Sequence, residues 1–147
     1  MRKRILHAGI LLAVVAVGTD LWSLATPSVN PPSSAGEWRL SGAADCVKSM
    51  PLELQAWRGL SRARRVCRAE YTGSPAMWLT LVEMPEQPGA SAFDAWQKWR
   101  PAQPGKLGFC KGRVFGVVES LQADRATLDR FTVAVEKGLP AGSEGRW

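Results

Sequence analysis

The chain has 147 residues, 46% apolar and 22% charged, with a formal net charge of +6. That balance suits a single globular domain and excludes wholesale disorder. The one histidine, His7, falls in the N-terminal segment, so the remaining chain holds no imidazole. Ser-His-Asp catalysis, Cys-His catalysis and His-containing zinc sites are thereby excluded.

Arg2, Lys3 and Arg4 precede an apolar run from Ile5 to Val17, and Ser23-Leu24-Ala25 brings small residues to a cleavage site. Charge, apolar length and small residues come in the order of a secretory signal. Cleavage is expected after Ala25, leaving a periplasmic or secreted protein. Residues 1–25 carry Arg2, Lys3, Arg4 and Asp20, so the remainder has a net charge of +4. The alternative is a single-pass N-terminal anchor, and membrane contact is expected only through that uncleaved segment. A span needs about 20 apolar residues, and lengthening this run takes in Asp20.

Residues 26–36, TPSVNPPSSAG, read as a Pro/Ser-rich linker. A single α+β domain is expected over residues 37–138, followed by a flexible Gly-rich tail over 139–147. Residues 41–57 give the weakest pattern. Ser41 suits the cap of a short helix through Met50, which Pro51 would stop.

Arg64 to Tyr71 alternates, with Arg65, Cys67, Ala69 and Tyr71 on one strand face and Val66, Arg68 and Glu70 on the other. Thr72-Gly73-Ser74-Pro75 reads as a turn. Ala76 to Met84, with Trp78, Leu79, Leu81 and Val82, is the second strand of a hairpin. It is apolar on both faces, which suits a central strand covered on both sides. Ser91 and Asp94 form a capping-box pattern before a short helix from Ala92 to Trp99. A second hairpin follows: Leu107, Phe109 and Cys110, a Lys111-Gly112 turn, then Val114 to Val118. Asp124 caps the last helix. Its stripe is Leu128, Phe131, Thr132 and Val135, and Lys137 and Gly138 suit its C-terminal end. The order predicts an α+β fold: an antiparallel sheet of about four strands (two hairpins) with helices packed on it, including a C-terminal helix.

Several of these stretches resemble a family of exported bacterial domains of unknown function. The likeness rests on Pro51-Leu52 and Trp57, Ala69-Glu70-Tyr71, Trp78-Leu79-Thr80-Leu81-Val82, Ala92-Phe93, and Phe109-Cys110-Lys111-Gly112-Arg113. It covers residues 50–138. It implies an α+β fold and an extracytoplasmic place, and it assigns no catalytic residue.

The chemistry open to the domain is narrow. No phosphate-binding loop, dinucleotide fingerprint or EF-hand loop occurs, and no cofactor or metal is implied. Cys46, Cys67 and Cys110 lack metal-clip spacing, whereas an oxidising compartment makes one disulfide plausible. Cys67 and Cys110, both on expected strands, are the first candidates; Cys46 with Cys67 is the second; three buried thiols are the third reading. Arg58, Arg62, Arg64, Arg65 and Arg68 form a basic cluster that suits an anionic polymer or lipid headgroups, or simply a solvated face. Trp96 and Trp99 could offer an aromatic ledge, but such residues more often anchor a helix. Glu70 and Glu83 are the carboxylates that could serve a small hydrolase acting on envelope or extracellular glycans. The leading expectation is a non-catalytic binding or accessory module of the cell envelope. Its partner would be an envelope protein or an anionic polymer, and nucleic acid is not expected.

Overall fold

A computed structural model describes residues 27–147 except 49, 58, 100–103, 143 and 147. The expected signal segment, its cleavage site and Arg58 lie outside the described residues.

One antiparallel sheet organises the domain. Its strands are β1 (Ser34–Ala35), β2 (Trp38–Leu40), β3 (Asp45–Val47), β4 (Arg65–Thr72), β5 (Met77–Glu83), β6 (Lys106–Lys111), β7 (Val114–Glu119) and β8 (Glu144–Arg146). The spatial order is β1-β2-β4-β5-β7-β6-β8, and β3 pairs with β4. The two expected hairpins form its centre, β4–β5 and β6–β7. Gly112, with φ of +56°, makes the second turn in a conformation that L side chains rarely adopt.

The α+β class holds, but four strands understate the sheet. The additional strands β1, β2, β3 and β8 are two or three residues long, too short for alternation to reveal. The helix anticipated between Ser41 and Met50 is replaced by β3. Cys46 lies opposite Cys67 in the register and is bonded to it, which holds this segment extended.

Both faces of the sheet carry a helix. Helix α2 (Arg125–Lys137) starts at Asp124, whose carboxylate accepts the Thr127 amide at 2.7 Å. Its buried residues Leu128, Phe131 and Val135 pack on Tyr71, Leu79, Leu107, Phe109 and Val118. Phe131 meets Tyr71 and Trp38 edge-on, at centroid distances of 5.1 and 5.3 Å. Buried Thr132 donates to the Leu128 carbonyl, one turn back.

Helix α1 (Ala92–Lys98) covers part of the opposite face. Seven residues make no stable helix alone, so its caps and its packing decide. The Ser91 hydroxyl accepts the Asp94 amide, and the Asp94 carboxylate accepts the Ser91 amide. Ala92, Ala95 and Trp99 then bury against Val66, Val82, Cys110, Phe115 and Val117. Trp99 lies directly over Gly108, where a Cβ would come within 2.5 Å of the indole. That close approach requires glycine.

The Pro/Ser-rich segment is fastened to the sheet. Buried Tyr71 donates its hydroxyl to the Pro32 carbonyl at 2.6 Å. Arg65 donates to the Val29 carbonyl and the Asn30 side chain at 2.7 and 2.8 Å, and Arg113 donates to the Pro27 carbonyl. At the other terminus, residues 144–146 add β8 alongside β6.

Candidate functional site

The cysteine pairing follows from which face each strand presents. Cys67 joins Cys46, its cross-strand partner, and Cys110 is a buried thiol outside that disulfide. The first-choice pair, Cys67 with Cys110, is therefore corrected. Cys67 belongs to the core beneath α2 and Cys110 to the core beneath α1. In addition β5 and β7 stand between their strands, a separation of about 14 Å at ordinary strand spacing. The buried disulfide fits an oxidising, extracytoplasmic environment. Among the described residues no helix is long and apolar enough to cross a membrane. No group of three or more His, Cys, Asp or Glu side chains among them could hold a metal ion.

The arginine cluster is divided. Arg62, Arg64 and Arg68 are exposed. Arg65 turns inward, where it holds the 27–32 segment and faces Glu83 at 3.7 Å. Glu83 also pairs with Arg113 at 3.2 Å. This carboxylate bridges two guanidinium groups that anchor backbone carbonyls, which is a structural assignment.

Glu70 and Glu83 do not form a pair. Glu70 lies opposite Trp78 and Glu83 opposite Arg65, at opposite ends of the hairpin and on opposite faces, because their positions on the two strands differ in parity. Trp96 and Trp99 do not stand together as an exposed ledge. Trp99 is only 5% exposed and packs against Trp57 and Phe115, with centroids 6.2 and 6.0 Å away. Trp96 is half-buried beside Phe93, at 5.6 Å.

What the face beneath α1 leaves open is more informative. The row Val66, Val82, Phe115 and Cys110 lies beneath the helix. Two rows away runs Glu70, Trp78, Glu119 and Lys106, each opposite the next across successive strands. Trp78 is 50% exposed. Glu119 accepts a salt bridge from Lys106 at 2.5 Å. Glu70 has no ionic partner among the described residues. Beside the row, Trp78, Gly105, Lys106, Glu119, Ser120 and Leu121 line a shallow groove of about 250 Å³. Leu121 at its rim is fully exposed.

Sequence reading placed Trp78 on a strand expected to be covered on both faces. The correction is that α1, about 10 Å long at 1.5 Å per residue, reaches only part of its face. A usable signal was present: the hairpin register sets a carboxylate, Glu70, directly opposite this indole.

Comparison with protein-family models, with curated proteins and with solved structures finds no match. The site has to be read from its own chemistry.

Proposed function

We propose that the chain is exported, loses residues 1–25, and acts outside the cytoplasm as a non-catalytic binding module of the cell envelope. Its binding face is the row centred on Trp78. The observation that carries this reading is the exposure of that one ring. Trp38 and Trp99 are buried, and Trp57 and Trp96 are packed around α1, whereas Trp78 presents half its surface next to an open groove. A large apolar ring at a concave place with a few polar groups beside it is what a ligand site offers.

A binding role is favoured over a hydrolytic one by the same row. Glu70 and Glu119 are the carboxylates it brings nearest, but Trp78 stands between them. An inverting hydrolase keeps substrate and water in that space.

The test is a titration of the mature domain, with indole-labelled tryptophans, against fractionated envelope material. The expected result is movement of the Trp78 Nε1–H signal, absent in Trp78→Ala, with no turnover on a substrate panel. Unmoved indole signals, or turnover that Trp78→Ala leaves intact, refute the reading. Export is tested separately by the intact mass of the chain from its native host, which should begin at Thr26.

A further inference from the structure

We infer that the Trp78 row binds a neutral glycan, an oligosaccharide chain of uncharged pyranose rings. This rests on the binding reading above and names its ligand class.

The first ground is the balance of charge. The charged groups on the open part of this face are Arg39, Asp45, Arg68, Glu70, Glu119 and Lys106, three cations and three anions. In a domain with a net charge of +4, this is a patch with none. A phosphate or acidic polymer brought to Trp78 meets Glu70 on one side and Glu119 on the other. A cationic ligand meets Arg68 and Lys106. A neutral ligand avoids both repulsions.

The second ground is the kind of polar group. Carboxylates only accept hydrogen bonds, whereas guanidinium and ammonium groups only donate. A ligand that uses both must carry groups that do either, and hydroxyls do. Several hydroxyls flanking an apolar surface describe a pyranose. Its ring C–H groups form a face with slight positive charge, complementary to the electron-rich face of an indole. Leu121 extends the apolar floor at the groove's rim.

The third ground is dimension. From Glu70 to Lys106 the row crosses three strand spacings, about 14 Å. That is room for more than one sugar ring, with the indole one third of the way along from Glu70. A long, shallow site of this kind suits a chain better than a single sugar.

The decisive experiment titrates the mature domain with a panel of neutral hexasaccharides (β-1,4-glucan, β-1,3-glucan, α-1,4-glucan, xylan and mannan), with oligogalacturonate as the acidic arm. The readout is the Trp78 indole signal. At least one neutral member should shift it to saturation, and Trp78→Ala should weaken that binding at least about tenfold. Trp78→Phe should keep part of it, because a smaller aromatic face remains. Glu70→Gln should weaken binding by about threefold, through loss of a charge-assisted hydrogen bond. The Kd should change less than about twofold between low and high salt, since no ion pair forms. Tighter binding of oligogalacturonate with steep salt dependence overturns the inference. So does failure of every neutral member. If envelope material still moves Trp78 in that last case, the binding reading survives and only the ligand class falls; if neither moves it, both fall.

Discussion

Removing the disulfide should lower stability by an amount set by its loop. The Cys46–Cys67 bond spans 21 residues, and the chain-entropy relation gives about 3.3 kcal/mol at 25 °C for that length. Unfolding entropy near 2.1 cal/mol/K per residue, over a domain of about 120 residues, converts this to a fall in Tm of about 13 °C. The variant is Cys46→Ala/Cys67→Ala, compared with wild type under oxidising and reducing conditions by calorimetry. Hydrogen exchange should also quicken at Asp45 to Val47, because among the described strands β3 pairs only with β4. Cys110→Ala is the control. It removes a buried thiol, and a loss of about 1 kcal/mol is ordinary for such a change, independent of reductant. Thiol titration of the unreduced, denatured chain should find Cys110 alone. Two results refute the reasoning: a reductant-induced Tm change within a few degrees of zero, or equal effects of the control and the double variant.

Three further outcomes follow from the packing and the caps. Gly108→Ala places a Cβ against the Trp99 ring and should destabilise by about 1–3 kcal/mol, as overpacking does; urea unfolding measures it. Tyr71→Phe leaves the Pro32 carbonyl without the phenol donor and should cost about 1 kcal/mol. Protection of the 27–32 segment in hydrogen exchange should fall at the same time. The Asp94 and Asp124 carboxyls are held below the usual carboxylate range, chiefly by hydrogen bonds from Ser91 and Thr127 respectively. Their folded-state pKa values lie below those of the unfolded chain. The stabilisation is therefore complete above the unfolded value, about 3.9, and is lost as pH falls through the lowered one. Asp94→Asn/Asp124→Asn should show a smaller acid-induced drop in Tm than wild type.

The elements readable in the sequence were those with long periodic patterns or explicit caps. Ser91 with Asp94, and Asp124, mark both helices where the structure begins them. The alternation around Cys67 and the apolar run through Val117 mark the central hairpins. Local pattern failed where a partner distant in sequence decides. Asp45–Val47 is a strand because Cys67 holds it. Residues 27–32 are fastened by Tyr71, Arg65 and Arg113, donors more than thirty positions away that no window contains. The cysteine choice failed for a related reason. Cys67 and Cys110 are both strand residues, but only sheet order and parity reveal that they face different cores. The candidate site was half legible. Trp78, Glu70 and the β-hairpin were visible, while Glu119 and Lys106 join them only through β7 and β6.

The position of Trp78 also bears on energy. A tryptophan buries about 150–250 Å² when fully enclosed. Leaving half of it in water forgoes about 2–3 kcal/mol of burial at 25 cal/mol per Å². The fold does not need that exposure. The two strands flanking β5 put glutamates opposite this position, so a threonine or lysine there would complete a polar solvent face. The core beneath α1 is closed two rows away by Val82 and Phe115. A ligand that covers the ring recovers the forgone burial, whereas one that avoids the ring recovers nothing. Trp78→Thr gives up only the buried half of the ring, about 2–3 kcal/mol, and should lower the melting temperature by no more than about 8–12 °C while removing ligand binding. A large loss of stability in that variant would mark the ring as a structural support and remove the energetic case for a site.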